Sequence, residues 1–296
     1  MARQPPRSTA LQFPSEILVV GSACAIAKLE DARMPARFDA VRRHWPEYFM
    51  EAAGLGIFMI SAAVVTTGLG YPHSPLYDLF PDPVVKRILI GVAMGLTAIG
   101  LIYSPWGKRS GAHLNPAVTV TFFRLGKIDG VDAICYVVAQ FLGGVTGLLI
   151  AASILGMTIE HPGVNYVVTV PGTGGAWVAF AAEAGISFAL MLVVLMVSNR
   201  SNLNAWTGLA AGFLVAFYIS IEAPLSGMSM NPARSFASAL AAQLWTSYWV
   251  YVAAPLAGML LAAESYVRVK GARGVLCAKL HHRNDSRCIF RCSFQD

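Results

Sequence analysis

The stretch "SGAHLNPAVTV" begins at Ser110, and "SGMSMNPARSF" begins at Ser226, 116 residues later. This near-repeat constrains the fold more than any other feature of the chain. Each Asn-Pro-Ala opens an apolar stretch of about ten residues, 115–125 and 231–242. Proline is tolerated in a first helical turn, where its missing N–H would be unpaired anyway. Asparagine just before it caps the helix start. Each copy therefore predicts a short helix that begins at the proline, after a non-helical Ser-Gly segment.

Six further apolar segments, 48–69, 85–103, 131–152, 177–197, 207–223 and 248–263, mostly approach the ~20 residues that cross a hydrocarbon core as helix. The two short stretches cannot cross alone. Irregular backbone at membrane depth is tolerated only against protein or a water-filled cavity. Two half-helices from opposite faces, meeting near the middle, make one span between them. Such interrupted segments at corresponding places in two halves mark a permeation or binding site. Composition agrees: charged residues make up 13% of the chain, against roughly 25% in soluble domains. The expected fold is an all-α membrane protein of six transmembrane helices plus two re-entrant half-helices. Three spans per half make the repeat an inverted one. Repeat one covers about 45–153 and repeat two about 176–263, within a channel domain 45–263. An N-terminal extension, 1–44, and a basic C-terminal tail, 264–296, flank it.

The formal net charge is +6, with seven Lys and Arg in residues 1–47 and seven in 265–296. Basic tails beside a membrane core suit anionic lipid headgroups. They do not make the continuous basic face of a nucleic-acid binder. Lys108, Arg109, Arg124 and Lys127 surround the first half-helix, Arg200 follows span four, and 158–175 has no Lys or Arg. The positive-inside rule puts both termini in the cytoplasm, with Lys86 and Arg87 as exceptions. The apolar run 17–27 is too short to span. Glu16 precedes it and charged residues follow, so it reads as a surface helix rather than a cleaved signal.

The two motif copies, "AQFLGG" at 139–144, and Glu51 and Glu183 at matching places in spans one and four together resemble the major intrinsic proteins, the aquaporins and aquaglyceroporins. The resemblance covers roughly residues 45–263. It implies a homotetramer in which each subunit carries its own pore. It also implies passive flow of water or small neutral solutes (glycerol, urea, ammonia, hydrogen peroxide), with no enzymatic activity and no cofactor. Asn115, Pro116, Ala117 and Asn231, Pro232, Ala233 would form the pore centre. There the asparagine amides donate to the permeant and two helix N-termini oppose cations. The outer constriction would be Met94, Ile219, Met228 and Arg234. Val92 and Gly95 remain alternatives to Met94, because "YSPWGKRSGAHLN" is one residue longer than usual. Water channels of the family have an aromatic residue and a histidine at this ring, and glycerol channels have Asp where this chain has Ser235. An atypical aquaporin with an apolar filter is the expectation.

Glu51 and Glu183 are expected to accept hydrogen bonds from the backbone before each half-helix. His113 either senses pH in the vestibule or caps loop carbonyls. The pairs Gly91/Gly95, Gly143/Gly147 and Gly208/Gly212 are expected to let helices approach closely. Two other functions compete. Broken helices with intramembrane acids also suit a proton-coupled secondary transporter. A non-conducting structural membrane protein would have lost an Asn or the Arg, and this chain has kept them. Cys277, Cys288 and Cys292 lie near His281 and His282, but no CxxC occurs and the spacing matches no standard zinc module. On spacing alone the tail is assigned no metal.

Overall fold

The structure is a computed structural model that describes the backbone of residues 20–294 and the side chains from residue 39. Its contacts divide the chain into residues 1–43 and 44–296, and the site lies wholly in the second unit. Of the apolar run 17–27, residues 17–19 fall outside the described residues and the rest is helical backbone.

The helices in chain order are α1 (Val20–Gly70), α2 (Pro75–Leu79), α3 (Pro83–Tyr103), α4 (Pro105–Ser110), α5 (Pro116–Arg124) and α6 (Gly130–Leu155). After a loop with two short 3₁₀ turns come α7 (Gly175–Ser198), α8 (Thr207–Ile221), α9 (Ala223–Ser226), α10 (Pro232–Ala242) and α11 (Tyr248–Lys270). Among the described residues, six helical stretches are long and apolar enough to cross a membrane: the 39–70 part of α1, then α3, α6 with the turn after it (Gly130–Glu160), α7, α8 with the turn before it (Asn204–Ile221) and α11. The half-helices α5 and α10 begin at the two prolines, as the motif dictates. Local chemistry starts the spans as well. Asp82 Oδ1 accepts from Val84 N at 2.6 Å and Val85 N at 3.2 Å, with Pro83 in the first turn.

Small residues decide how closely the spans pack. A Cβ added at Gly143 would fall on the Ala52 carbonyl, and one at Gly147 on the Gly56 carbonyl, so α6 lies backbone to backbone on α1. In the second repeat, a Cβ at Gly258 of α11 would fall on the Ala184 carbonyl of α7. Ala52 follows Glu51 and Ala184 follows Glu183, so the two repeats use the same contact. The repeats meet along α3 and α8, where Gly95 and Gly212 abut. Each half-helix also packs on the last span of the other repeat, α5 on α11 and α10 on α6. Outward faces keep large apolar side chains exposed, among them Leu96, Leu142, Phe213 and Leu261, as a bilayer-facing surface requires.

The sequence marks 264–296 as a separate tail. In the structure α11 runs on to Lys270 and the segment after it turns back onto the channel. Leu280 N donates to Gly111 O at 3.1 Å, Arg291 N to Lys127 O at 3.0 Å, and Leu276 N to Asn199 Oδ1 at 2.6 Å. Cys277, Ala278, Lys279 and Leu280 are all buried.

Candidate functional site

The residues before each half-helix adopt one backbone twice. Gly111 and Gly227 have φ of +93° and +83°, Ala112 and Met228 of +54° and +50°, and Leu114 and Met230 of +48° and +54°. Left-handed backbone costs a non-glycine residue roughly 1–2 kcal/mol, so something must hold it. Glu51 and Glu183 do. Glu51 accepts from Ser110 Oγ (2.8 Å), His113 N (3.0 Å), Leu114 N (2.6 Å) and Gln140 Nε2 (2.9 Å). Glu183 accepts from Ser226 Oγ, Ser229 N and Met230 N, each at 2.7 Å. Both carboxylates are fully buried and stand behind the loops. Tyr136 and Tyr251 complete the scaffold by donating to the Ser110 and Ser226 carbonyls at 2.7 and 2.6 Å.

At the junction the two asparagines cross. Asn115 Oδ1 accepts from Ala117 N at 2.8 Å, and its Nδ2 donates to Met230 O at 2.7 Å. Asn231 Oδ1 accepts from Ala233 N (3.1 Å) and Arg234 N (3.3 Å), and its Nδ2 donates to Leu114 O at 2.7 Å. Each amide thus caps its own half-helix and ties it to the loop of the other, so neither can reorient freely. An amide nitrogen carries two hydrogens, and one on each asparagine remains for another acceptor. Pro116, Ala117, Pro232 and Ala233 are buried behind this pair.

A cavity of about 330 Å³ runs past both asparagines. Its lining includes His113, Met94, Ile219, Met228 and Arg234, with mostly apolar side chains between them. Of the three residues considered in span two, Met94 lines the cavity. Val92 is exposed on the outside, and Gly95 packs against Gly212. Arg234 Nη1 is buried and has no hydrogen-bond partner among the described residues. Ser235 does not line the cavity. It bonds Thr169 and Ser229 hydroxyls at 2.6 Å each, tying the 156–174 loop to α10.

Several lining residues escaped sequence reasoning. Arg87 faces the cavity, and its Nε donates to Ser220 O at 2.8 Å. A cation within an apolar segment was the available signal, but charge counting assigned it only to topology. Val164, Val167 and Val168 enter from the loop, where Asn165, Tyr166 and Val167 take positive φ. Just past α8, burial pushes the Glu222 carboxyl up to about 7.

His113 caps a carbonyl, and the carbonyl belongs to the tail. Its Nε2 lies 2.9 Å from Ala278 O, which can only accept, so Nε2 carries the hydrogen and Nδ1 faces Thr119 Oγ1 at 3.1 Å. The ring is stacked between Phe122 and Phe290, with centroids 5.1 and 5.3 Å away. Leu280, from the same tail, reaches the cavity lining. The tail also gathers what its linear spacing hid. One ligand atom from each of Cys277, His282, Cys288 and Cys292 lies within 4.8 Å of all the others. His281 is not among them; its Nε2 faces Arg283 O at 3.0 Å.

The comparisons with known proteins agree with this architecture. The family model described as Major intrinsic protein matches residues 40–266. A glycerol uptake facilitator protein-like 6 from Lactiplantibacillus plantarum is 35% identical over 166 residues, covering 52% of this chain and 71% of the relative. Aquaporin AqpM from Methanothermobacter marburgensis is 33% identical over 196 residues, covering 60% of this chain and 75% of the relative. The solved aquaglyceroporin from Plasmodium falciparum superposes with a TM-score of 0.64 at 20% identity, covering 78% of this chain and 98% of that one, and so shares its fold. The chain belongs to the major intrinsic protein family, a family of membrane channels.

Proposed function

We propose that this member of the family is a passive pore for water and small uncharged solutes, limited by a largely apolar constriction of Met94, Ile219, Met228 and Arg234. The observation that carries the reading is one cavity lined by both crossed asparagines and all four of these residues. A volume of about 330 Å³ has room for a chain of several waters. Asn115 and Asn231 each keep one N–H for a passing oxygen. The N-termini of α5 and α10 meet there with their positive ends, and Arg234 adds a full charge. A cation in the pore loses hydration and meets repulsion, a barrier of several kcal/mol as an order of magnitude. A neutral solute needs only to exchange hydrogen bonds. Three apolar residues in the ring offer few, which favours solutes that carry some carbon.

The proposed arrangement places both termini in the cytoplasm and assembles four chains, each with its own pore. The exposed apolar faces of α3, α6 and α8 would meet lipid or neighbouring subunits. Glu51 and Glu183 are occupied as loop anchors, which removes the two intramembrane acids a proton-coupled carrier would draw on.

Stopped-flow flux into proteoliposomes, over a panel of water, glycerol, urea, ammonia and hydrogen peroxide, tests the reading. Equilibration without accumulation, whatever the pH gradient, is expected. Ile219→His should raise the water-to-glycerol ratio about tenfold or more, since a hydrogen bond made or broken in a buried site is worth roughly 1–3 kcal/mol. An unchanged ratio per reconstituted channel removes Ile219 from the constriction. Solute accumulation driven by a proton gradient overturns the passive pore.

A further inference from the structure

The tail segment 271–294 has little regular structure of its own, apart from the 3₁₀ turn Ala272–Gly274. It is nonetheless folded, with Cys277, Ala278 and Leu280 buried. Segments this short rarely stay folded on apolar burial alone and need a staple. The four gathered side chains form one. Cys277 Sγ and Cys288 Sγ are 3.6 Å apart, and Cys292 Sγ and His282 Nε2 are 3.0 Å apart. A disulfide would bring its sulfurs to about 2.05 Å. Two thiolates on one tetrahedral zinc, at Zn–S ≈ 2.3 Å, stand roughly 3.7–3.8 Å apart. The Cys277–Cys288 separation fits that edge. The longest separation in the set, at most 4.8 Å, needs a contraction of about 1 Å to meet it. Three sulfurs and an imidazole, with no carboxylate among them, are a soft set that favours zinc over magnesium or calcium. Three thiolates and neutral histidine around a divalent ion leave one net negative charge. Lys279, buried in the same folded segment, donates to Ser286 O at 2.8 Å.

We propose that Cys277, His282, Cys288 and Cys292 bind one zinc ion, and that the ion staples the tail into a plug over the His113 end of the pore; the plug rests on the channel reading, the metal site does not. The ligands alternate with the residues that grip the channel. Leu276 and Ala278 flank Cys277 and bond Asn199 and His113. Arg291 and Ser293 flank Cys292. Arg291 N bonds Lys127 O at 3.0 Å, and Ser293 Oγ accepts from Lys127 Nζ at 3.1 Å. Phe290, two residues after Cys288, stacks on the His113 ring. Leu280, between Cys277 and His282, lines the cavity itself. A metal that fixes the ligands therefore fixes the groups that close this mouth. Binding releases the three thiol protons to solvent.

Zinc is measured by elemental analysis on the purified full-length chain in detergent, after dialysis against metal-free buffer. One zinc per chain is expected, and Co²⁺ substitution should give the strong visible bands of tetrahedral thiolate coordination. Cys288→Ser with Cys292→Ser should drop zinc to ~0.1 equivalent or less while leaving the helical circular dichroism unchanged. No bound zinc, or zinc retained by the double variant, overturns the site. So does a Cys277–Cys288 disulfide, identified as a cross-linked peptide pair two hydrogens lighter in a non-reducing peptide map. For the plug, a zinc chelator should raise solute flux of the wild-type chain severalfold and leave the double variant unaffected. Unchanged flux on verified zinc removal overturns the plug. A wild type with zinc and no flux before or after chelation overturns the channel reading and leaves the metal site standing.

Discussion

Replacing Glu51 by Gln tests the scaffold behind the first half-helix with a change of one atom. The carboxylate accepts four donors, two on each oxygen: Ser110 Oγ and His113 N on Oε1, Leu114 N and Gln140 Nε2 on Oε2. A glutamine keeps one oxygen. If its NH₂ takes the Oε2 place, Gln140 can turn its amide, giving up its 3.1 Å bond to Thr119 Oγ1, because its Oε1 is buried without a partner among the described residues. Leu114 N–H then has no acceptor. If the NH₂ takes the Oε1 place, the Ser110 hydroxyl can rotate to accept, and His113 N–H is orphaned. One buried backbone N–H is lost either way. A hydrogen bond to a charged group contributes about 1.5–3 kcal/mol, and a buried orphan costs about 1–3 kcal/mol. The net penalty is about 2–4 kcal/mol, on loops that already hold Ala112 and Leu114 left-handed. At ~2–4 °C per kcal/mol for a chain of this size, Tm should fall by about 5–15 °C. Thermal unfolding of the detergent-solubilised protein measures it, with solute flux recorded alongside. A fall of less than about 2 °C with unchanged flux would show that the carboxylate does not hold the loop, and the argument from its four bonds would fail.

Asn231→Asp removes the Nδ2 donor that reaches Leu114 O at 2.7 Å and puts a negative charge at the pore centre. Cation leak should appear in electrophysiology, and an unchanged leak at normal surface expression would count against this centre. Glu222 binds its proton more tightly when folded, near pH 7 against an ordinary 4.5; stability is therefore greatest below the ordinary value and falls as pH rises through that window. Glu222→Gln should raise Tm more at pH 8 than at pH 5, and equal gains at both would refute the buried-acid account. Gly143→Ala places a Cβ on the Ala52 carbonyl and should sharply reduce monodisperse yield, whereas Gly100→Ala, with open space around it, should not. Equal yields on size-exclusion chromatography would contradict the backbone contact of α1 and α6.

Apolar length and the two Asn-Pro pairs determined the helical inventory without help from the fold. Both are local properties: a run near twenty apolar residues has to satisfy its backbone as helix in lipid, and proline behind a capping asparagine sets where a helix begins. Both half-helices and most span ends fall within a few residues of those the sequence implies, but the first span starts at residue 39 rather than 48, and the third and sixth run on to 160 and 270 rather than 152 and 263. The paired acids were legible for the same reason, because an ionisable residue in an apolar run needs donors and the only free ones lie in the broken segments. Other features depended on where distant segments meet, and no spacing encodes that. The crossing of Asn115 onto Met230 O and of Asn231 onto Leu114 O exists only once the half-helices face each other. Arg87 reaches the cavity because α3 turns that face toward α8. From sequence the tail is a basic segment suited to anionic headgroups, since its charges and short apolar runs look the same whether it hangs free or folds. Chain reversal after Lys270 decided otherwise. It brought Leu280 to the cavity and Phe290 onto His113, and it closed Cys277, His282, Cys288 and Cys292 around one point. Ligand proximity is a property of the closed loop, so only the tertiary structure could supply it.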